Sequence, residues 1–269
     1  MKKTLLFLLF LLSTGICLAD WPVKKGRIQL IPSYNLYYSS SYFNSNGKVT
    51  SLNGGHFTSH YFSMYGMYGI TDRLDFLVNL PITFQSLSSG GVKYNKSGIS
   101  DISVGLAYHF PTEDMKKYFT VKGFFIFPAY QNNVTPYLGY ASRAFQLAAA
   151  YSYNPNEKSY LVVEGNYTRY VDDNNGPSQF LFSGTFGYYL NTHEKLTINF
   201  THQISISDDK VFSANLPINK DFYVGKIALG YGKRISRTVT PYIQAYFTPY
   251  GYNAGNAIGI NLFAIIKIP

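Results

Sequence analysis

Leu196-Thr197-Ile198-Asn199-Phe200-Thr201-His202-Gln203-Ile204-Ser205-Ile206 is the stretch whose reading decides the fold. Successive side chains of a β-strand point to opposite faces. One face of this segment therefore carries Leu196, Ile198, Phe200, His202, Ile204 and Ile206, and the other carries Thr197, Asn199, Thr201, Gln203 and Ser205. The strand is oily on one side and wet on the other along its whole length.

The same alternation recurs through the chain. Twelve segments carry it, near 26–39, 57–70, 74–85, 99–110, 117–128, 141–153, 159–171, 179–190, 195–206, 222–234, 239–249 and 256–268. The third puts Leu74, Phe76, Val78, Leu80, Ile82 and Phe84 on one face, the fourth Ile102, Val104, Leu106, Tyr108 and Phe110, and the last Ile258, Ile260, Leu262, Ala264, Ile266 and Ile268. The second has aromatics on both faces, so its orientation stays open. Connections after even-numbered segments are short: Thr71-Asp72-Arg73, Pro111 to Lys116, Asn154 to Lys158, Asn191 to Glu194 and Ile235 to Thr238. Those after odd-numbered segments are often longer and rich in Gly, Ser and Asn, as in 40–56, 86–98 and 207–221, a composition that favours turns.

Composition agrees. The chain has 269 residues, of which 46% are hydrophobic, only 14% charged and 18% aromatic, with 26 Tyr and 21 Phe. A chain so aromatic and so poorly charged does not stay disordered, and Tyr and Phe favour strands. The mean hydropathy of -0.06 is too low for a bundle of membrane helices. Beyond the leader, no run reaches the ~18 apolar residues of a helical span.

Residues 1–19 read as a secretory signal, with Lys2 and Lys3 ahead of an apolar run from Leu5 to Leu12 and small residues before a cut at Asp20. The run is shorter than the ~20 residues of a retained membrane helix. Cys17 follows Ile16, not the small residue a lipid-attachment cysteine needs. Cleavage removes the one cysteine, so disulfides and thiolate chemistry are excluded. It also lowers the net charge by two, from +9 to +7.

An exported chain of alternating strands with an oily outer face must close on itself, because an open edge leaves backbone groups unpaired in hydrocarbon. Strands of ~10 residues tilted by ~40° cover the ~25 Å apolar band of outer-membrane barrels. The expected architecture is all-β: a single transmembrane antiparallel barrel of about twelve strands over 20–269, in the bacterial outer membrane. Tyr34, Tyr37, Tyr38, Tyr151, Tyr153, Tyr188 and Tyr189, near strand ends, suit the interfacial girdles. A secreted soluble β-sandwich is the rival reading, and it needs neither twelve long strands nor so many aromatics.

Two phrases carry a family resemblance. They are Tyr65-Gly66-Met67-Tyr68-Gly69-Ile70-Thr71-Asp72-Arg73-Leu74-Asp75-Phe76 and Gly98-Ile99-Ser100-Asp101-Ile102-Ser103-Val104-Gly105-Leu106-Ala107-Tyr108, with Val78-Asn79-Leu80-Pro81 between them. In order and spacing they resemble the turn and strand starts of the outer-membrane barrel family associated with the MetA-pathway of phenol degradation. The resemblance covers 57–110. It implies a channel-like barrel for small, often aromatic or apolar compounds, and it brings no catalytic residue. Outer-membrane barrels usually end in an aromatic residue read by the barrel-assembly machinery, whereas here the last aromatic is Phe263.

Chemistry beyond passage finds little support. None of His56, His60, His109, His193 and His202 has a serine two residues on, as an outer-membrane serine hydrolase would need. Asp75, Asp101 and Glu164 are inward acids on three different strands. Asp172-Asp173 and Asp208-Asp209 read as solvated loop acids, lacking the spaced oxygens of a calcium loop. Lys and Arg are dispersed, which argues against nucleic acid. No enzyme activity, metal or cofactor is expected. The partners expected are outer-membrane lipid, the assembly machinery and a small-molecule solute.

Parity assigns the lumen Arg27, Asp75, Asp101, His109, Lys122, Glu164, Lys226 and Arg234, with Phe124 and Phe263 as bulky inward groups that narrow it. The reading is a narrow, partly occluded channel for passive passage of small solutes. A plugged barrel whose loops contact a partner or surface polymer is the alternative, and a lipid-acting barrel enzyme is more remote. Epitope tags inserted in 40–56 or 207–221 should be labelled on intact cells, and tags in 111–116 or 154–158 should not. Labelling with the sides exchanged would invert the topology.

Overall fold

A computed structural model describes residues 21–133, 135–172 and 176–269; the proposed signal segment 1–19 lies outside the described residues. Twelve strands form a closed antiparallel ring: β1 (Ile28–Phe43), β3 (His56–Gly69), β4 (Leu74–Ser89), β6 (Asp101–Pro111), β7 (Lys117–Pro128), β8 (Ala144–Asn156), β9 (Ser159–Tyr170), β10 (Ser178–Tyr189), β11 (Glu194–Ile206), β12 (Phe222–Lys233), β13 (Val239–Tyr252) and β14 (Ala254–Ile268). Closure comes from β14 pairing β1, from Ile28 opposite Ile268 to Phe43 opposite Ala254. Two short strands, β2 (Val49–Ser51) and β5 (Val92–Ile99), lie beside the ring on β1 and β4.

Burial is inverted relative to a soluble protein. Ile198 and Ile258 are 45% and 62% exposed, whereas Asp75, His109 and Thr120 are fully buried. The apolar faces of the quoted segments point outward and the polar faces line the interior. A sandwich would bury the opposite set, so this inversion excludes it. On β3, whose aromatics had left its orientation open, Phe62, Met64 and Tyr68 are exposed and Phe57 and Met67 are buried.

Strict parity also corrects the girdle assignments. Tyr38 and Tyr188 face outward at 40% and 42% exposure. Their neighbours Tyr37 and Tyr189 therefore face inward: Tyr37 packs edge-on against buried Phe57, and Tyr189 lines an interior cavity. Adjacent residues on a strand cannot share a face.

The tight turns at one end share a device. The side-chain oxygen of Thr71 accepts the N–H groups of Arg73 and Leu74 at 3.1 and 2.9 Å. Asn191 does the same for His193 and Glu194, and Ser236 for Thr238 and Val239. Such side-chain turns replace the missing ladder bonds.

At the other end the expected loop 86–98 is largely a hairpin extension. β5 pairs the upper half of β4 and β6 the lower half. The switch falls at Ser100, whose N–H donates to the Pro81 carbonyl at 3.0 Å. The two phrases that carry the family resemblance thus meet in space. The β13–β14 connection is a single residue, Asn253, in the left-handed region.

Replacing lipid-facing Val104 or Ile198 by Arg should lower the folded fraction in lipid vesicles, since such a charge costs ~2–4 kcal/mol at mid-bilayer. Ser103→Arg and Asn199→Arg, one residue away on the inner face, should fold with a smaller loss. Equal defects at both parities, read by heat-modifiable gel mobility, would sink the two-face assignment.

Candidate functional site: the barrel interior

Twelve strands enclose more space than small side chains can fill, and the interior is filled in layers. At the short-turn end, tyrosine rings lie flat along the wall where a neighbouring strand has glycine. A β-carbon at Gly187 would collide with the ring of Tyr160, and one at Gly232 with the ring of Tyr242. Tyr242 also stacks on Phe263 with ring centres 4.5 Å apart, and Ile31 joins them. A second apolar group, Met67, Leu77 and Ala107, has Phe124 and Val23 packed against it.

Val23 precedes the first strand, so the N-terminal segment enters the barrel. Its N–H donates to Asp75 Oδ2 at 3.1 Å. The same oxygen pairs with His109 Nε2 at 2.9 Å, while His109 Nδ1 meets the Thr120 hydroxyl at 3.0 Å. Trp21 stands edge-on to Tyr118 and Tyr160. Hydroxyl, imidazole and carboxylate in a row have the composition of a nucleophile relay, but all three side chains are fully buried. No substrate reaches Thr120, and what the row holds is the Val23 amide.

At mid-height Lys122 Nζ pairs with Glu164 Oε2 at 2.6 Å, reaching from β7 over β8 to β9. The inward residues of β8 there are Ala148 and Ala150, both buried and small enough to leave the route clear. Among the described residues no carboxylate pairs with Lys226, whose ammonium lies 4.8 Å from the centre of the Tyr246 ring.

The long-loop end is narrowed by 129–143. Tyr140 donates to the Asn219 carbonyl at 2.6 Å and accepts from Gln179 Nε2 at 3.2 Å, so this loop crosses the mouth between the inner face of β10 and the loop 207–221. The Tyr130 hydroxyl bonds Asp101 at the top of β6, and burial pushes the Tyr130 and Tyr140 hydroxyls above the usual phenol range. Outside, Arg143 clasps Asp172 at 2.7 Å and holds its carboxyl below the usual carboxylate range. That clasp is complete at neutral pH and is lost only as acid protonates Asp172. Asp209 pairs with Lys220, and Asp173 lies outside the described residues. Among the described residues no three His, Cys, Asp or Glu side chains cluster as metal ligands would.

The eight residues assigned by parity thus occupy different places. Asp75 and His109 meet at the N-terminal segment, Lys122 and Glu164 pair, Asp101 sits under the loop 129–143, and Lys226 lies beside Tyr246. Arg27 and Arg234 lie beyond the strand ends and line cavities at the short-turn mouth, where Arg234 donates to the Thr192 carbonyl at 2.6 Å. The Lys122–Glu164 pair removes Lys122 from the surplus of positive charge. That surplus instead includes Lys195, Arg237 and Lys267 at the same mouth, where Lys195 lies 4.8 Å from the centre of the Tyr242 ring. Parity with Thr197 marks Lys195 as inward, and parity with Phe263 does the same for Lys267. Arg237, in a turn, carries no sequence signal.

The family model described as "Putative MetA-pathway of phenol degradation" matches residues 35–262. Among solved structures, the COG4313 outer membrane channel from Pseudomonas putida F1 is similar, with a TM-score of 0.78 at 15% identity over 94% of this chain and 100% of that one. The NanC porin follows with 0.55 at 10% identity over 89% and 98%. The translocator domain of the autotransporter NalP from Neisseria meningitidis gives 0.51 at 10% identity over 89% and 88%. No curated protein matches. At such identities the likeness is one of fold, the closed barrel of the outer membrane.

Lys122→Met or Glu164→Met alone should destabilise the barrel by about 3 kcal/mol, because each leaves a largely buried charge without its opposite charge. The double substitution should recover most of that loss in urea unfolding from lipid vesicles. Additive losses would mean that the two charges do not depend on each other.

Proposed function

The chain belongs to the MetA-pathway of phenol degradation family, and from that premise we propose that it is an outer-membrane channel passing small solutes down their gradients. The observation that carries this reading is the polar inner wall: Asn166, Gln179, Thr185, Asn199 and Thr201 face inward along β9, β10 and β11, behind an apolar outer surface. A barrel that only anchored loops could fill its interior with apolar side chains. Passage needs no cofactor or catalytic group, only a wetted route. The bilayer, the assembly machinery and a soluble small molecule are the partners this role requires.

The charge balance gives the route a sign. Lys226 lies within the barrel, and Arg27, Lys195, Arg237 and Lys267 line its mouth. Of the inward acids, Glu164 is paired with Lys122, Asp75 is hydrogen-bonded by His109, and Asp101 is bonded by the Tyr130 hydroxyl. Low-dielectric walls focus such fields, and charged side chains in a pore set its ion preference. Small anions are therefore favoured, modestly, and added salt weakens the preference by screening.

A second reading, the plugged barrel, is favoured by one feature: Trp21 and Val23 occupy the interior and the loop 129–143 crosses the other mouth. Planar-bilayer recording separates the two. The channel reading expects conductance from the intact barrel, a larger conductance after deletion of 21–25, and a reversal potential shifted toward cations by Lys226→Glu. A silent barrel, with and without 21–25, would leave the plugged barrel standing.

A further inference from the structure

The short-turn mouth holds a cavity of about 520 Å3, open toward the turns and within the ~300–1,000 Å3 range of small-molecule sites. Five basic side chains line it, those of Lys24, Arg27, Lys195, Arg237 and Lys267, and among the described residues no Asp or Glu side chain does. Lys195, Arg237 and Lys267 also line a smaller adjoining cavity of about 180 Å3, so they stand on the shared wall of the two.

Lys195 is the most constrained of the five. Its ammonium lies 4.8 Å from the centre of the Tyr242 ring and 5.5 Å from those of Tyr160 and Tyr189. Aromatic faces attract a cation and fix its position, but they carry no net charge to offset it. The neighbouring carboxylate, Glu194, is engaged elsewhere, by Tyr231 at 2.8 Å and Lys233 at 3.2 Å. The remaining wall is mixed: Trp21, Phe263 and Ile265 stand beside the tyrosines as its apolar part, and Gln29, Thr185, Thr197, Thr238 and Gln244 are its polar part.

We infer that this vestibule is a binding site for a small organic monoanion, its acid group on Lys195, Arg237 and Lys267 and its apolar body against Trp21, Tyr242 and Phe263. Lys195, half-buried among three rings and facing no Asp or Glu side chain of the described residues across the cavity, calls for an anion, and its fixed ammonium together with the exposed Arg237 and Lys267 on the same wall offers several charge-assisted hydrogen bonds to one carboxylate. The aromatic wall adds affinity for an apolar body that an inorganic anion lacks. The inference rests on the channel reading for the solute's route, but the binding itself does not require conduction.

Trp21 is the only tryptophan of the chain and lines the cavity, so its emission reports occupancy in the full-length barrel folded in detergent. Benzoate and hexanoate should change that emission saturably, whereas benzyl alcohol, benzylammonium and inorganic phosphate should not. Lys195→Gln and Arg237→Gln should each weaken benzoate binding by about tenfold, the loss of one charge-assisted bond, and Lys195→Arg should restore most of it. Arg237 lies in a turn outside the strands, so its variant tests the site even where the Lys195 variant folds poorly. An equal response to benzylammonium would overturn the anion assignment, and an equal response to phosphate would overturn the apolar half. Unchanged affinity in Arg237→Gln and Lys195→Gln would overturn the site itself. Conductance without saturable benzoate binding would reject this inference and keep the channel; benzoate binding by a barrel that does not conduct would do the reverse.

Discussion

A backbone in hydrocarbon has no water to bond, so every N–H and C=O must find a partner within the protein. The pairing of β14 with β1 is where this chain meets that demand. Thirteen residue pairs join the two strands, from Ile28–Ile268 to Phe43–Ala254. Without that seam both strands would present unpaired edges to lipid. Once the ring closes, each strand has one side in lipid and one side enclosed, and the period-2 alternation has its physical meaning.

Closure also creates an interior that must be filled or wetted. The chain does both, at different heights. Near the short turns, tyrosine rings lie over glycines of neighbouring strands, and apolar groups pack with the incoming Val23. Higher up, an ion pair and side-chain hydrogen bonds line the wall: Lys122 pairs with Glu164, and Asn199 Nδ2 donates to the Thr185 hydroxyl, each at 2.6 Å. At the far mouth Tyr140 bridges a loop and an inner strand face. Low dielectric strengthens each of these contacts and penalises any polar group left alone. Ionisable groups inside the barrel are paired with an opposite charge, as Lys122 is with Glu164, hydrogen-bonded, as Asp75 is by His109 and Asp101 by Tyr130, or held on aromatic faces, as Lys195 and Lys226 are.

Alternation in the sequence made the strands readable because lipid imposes one simple rule on every second residue. Val104, Ile198 and Ile258 could be placed without a structure. The same rule, applied consistently, would have turned Tyr37 and Tyr189 inward; treating strand-end tyrosines as girdle residues overrode it. The hairpin at 90–91 was harder to see, since β5 continues β6 past Ser100 and leaves no compositional break. The loop 129–143 enters the barrel through contacts to Gln179 and Asn219, far from it in sequence, and no local pattern records them.

The sequence by itself determined which residues of the cleanly alternating segments face lipid, that the ring has twelve strands and that they must close, because each follows from nearest-neighbour periodicity and the cost of unpaired backbone in hydrocarbon. Only the tertiary structure decided what the inward residues do with one another. Parity places Lys122, Glu164, Asp75, His109 and Lys195 inside, but it is silent on distance around the ring. That Lys122 reaches Glu164 two strands away, that Asp75 holds His109 and the Val23 amide, and that Lys195 stands among Tyr160, Tyr189 and Tyr242 all depend on where strands distant in sequence come together when the sheet closes.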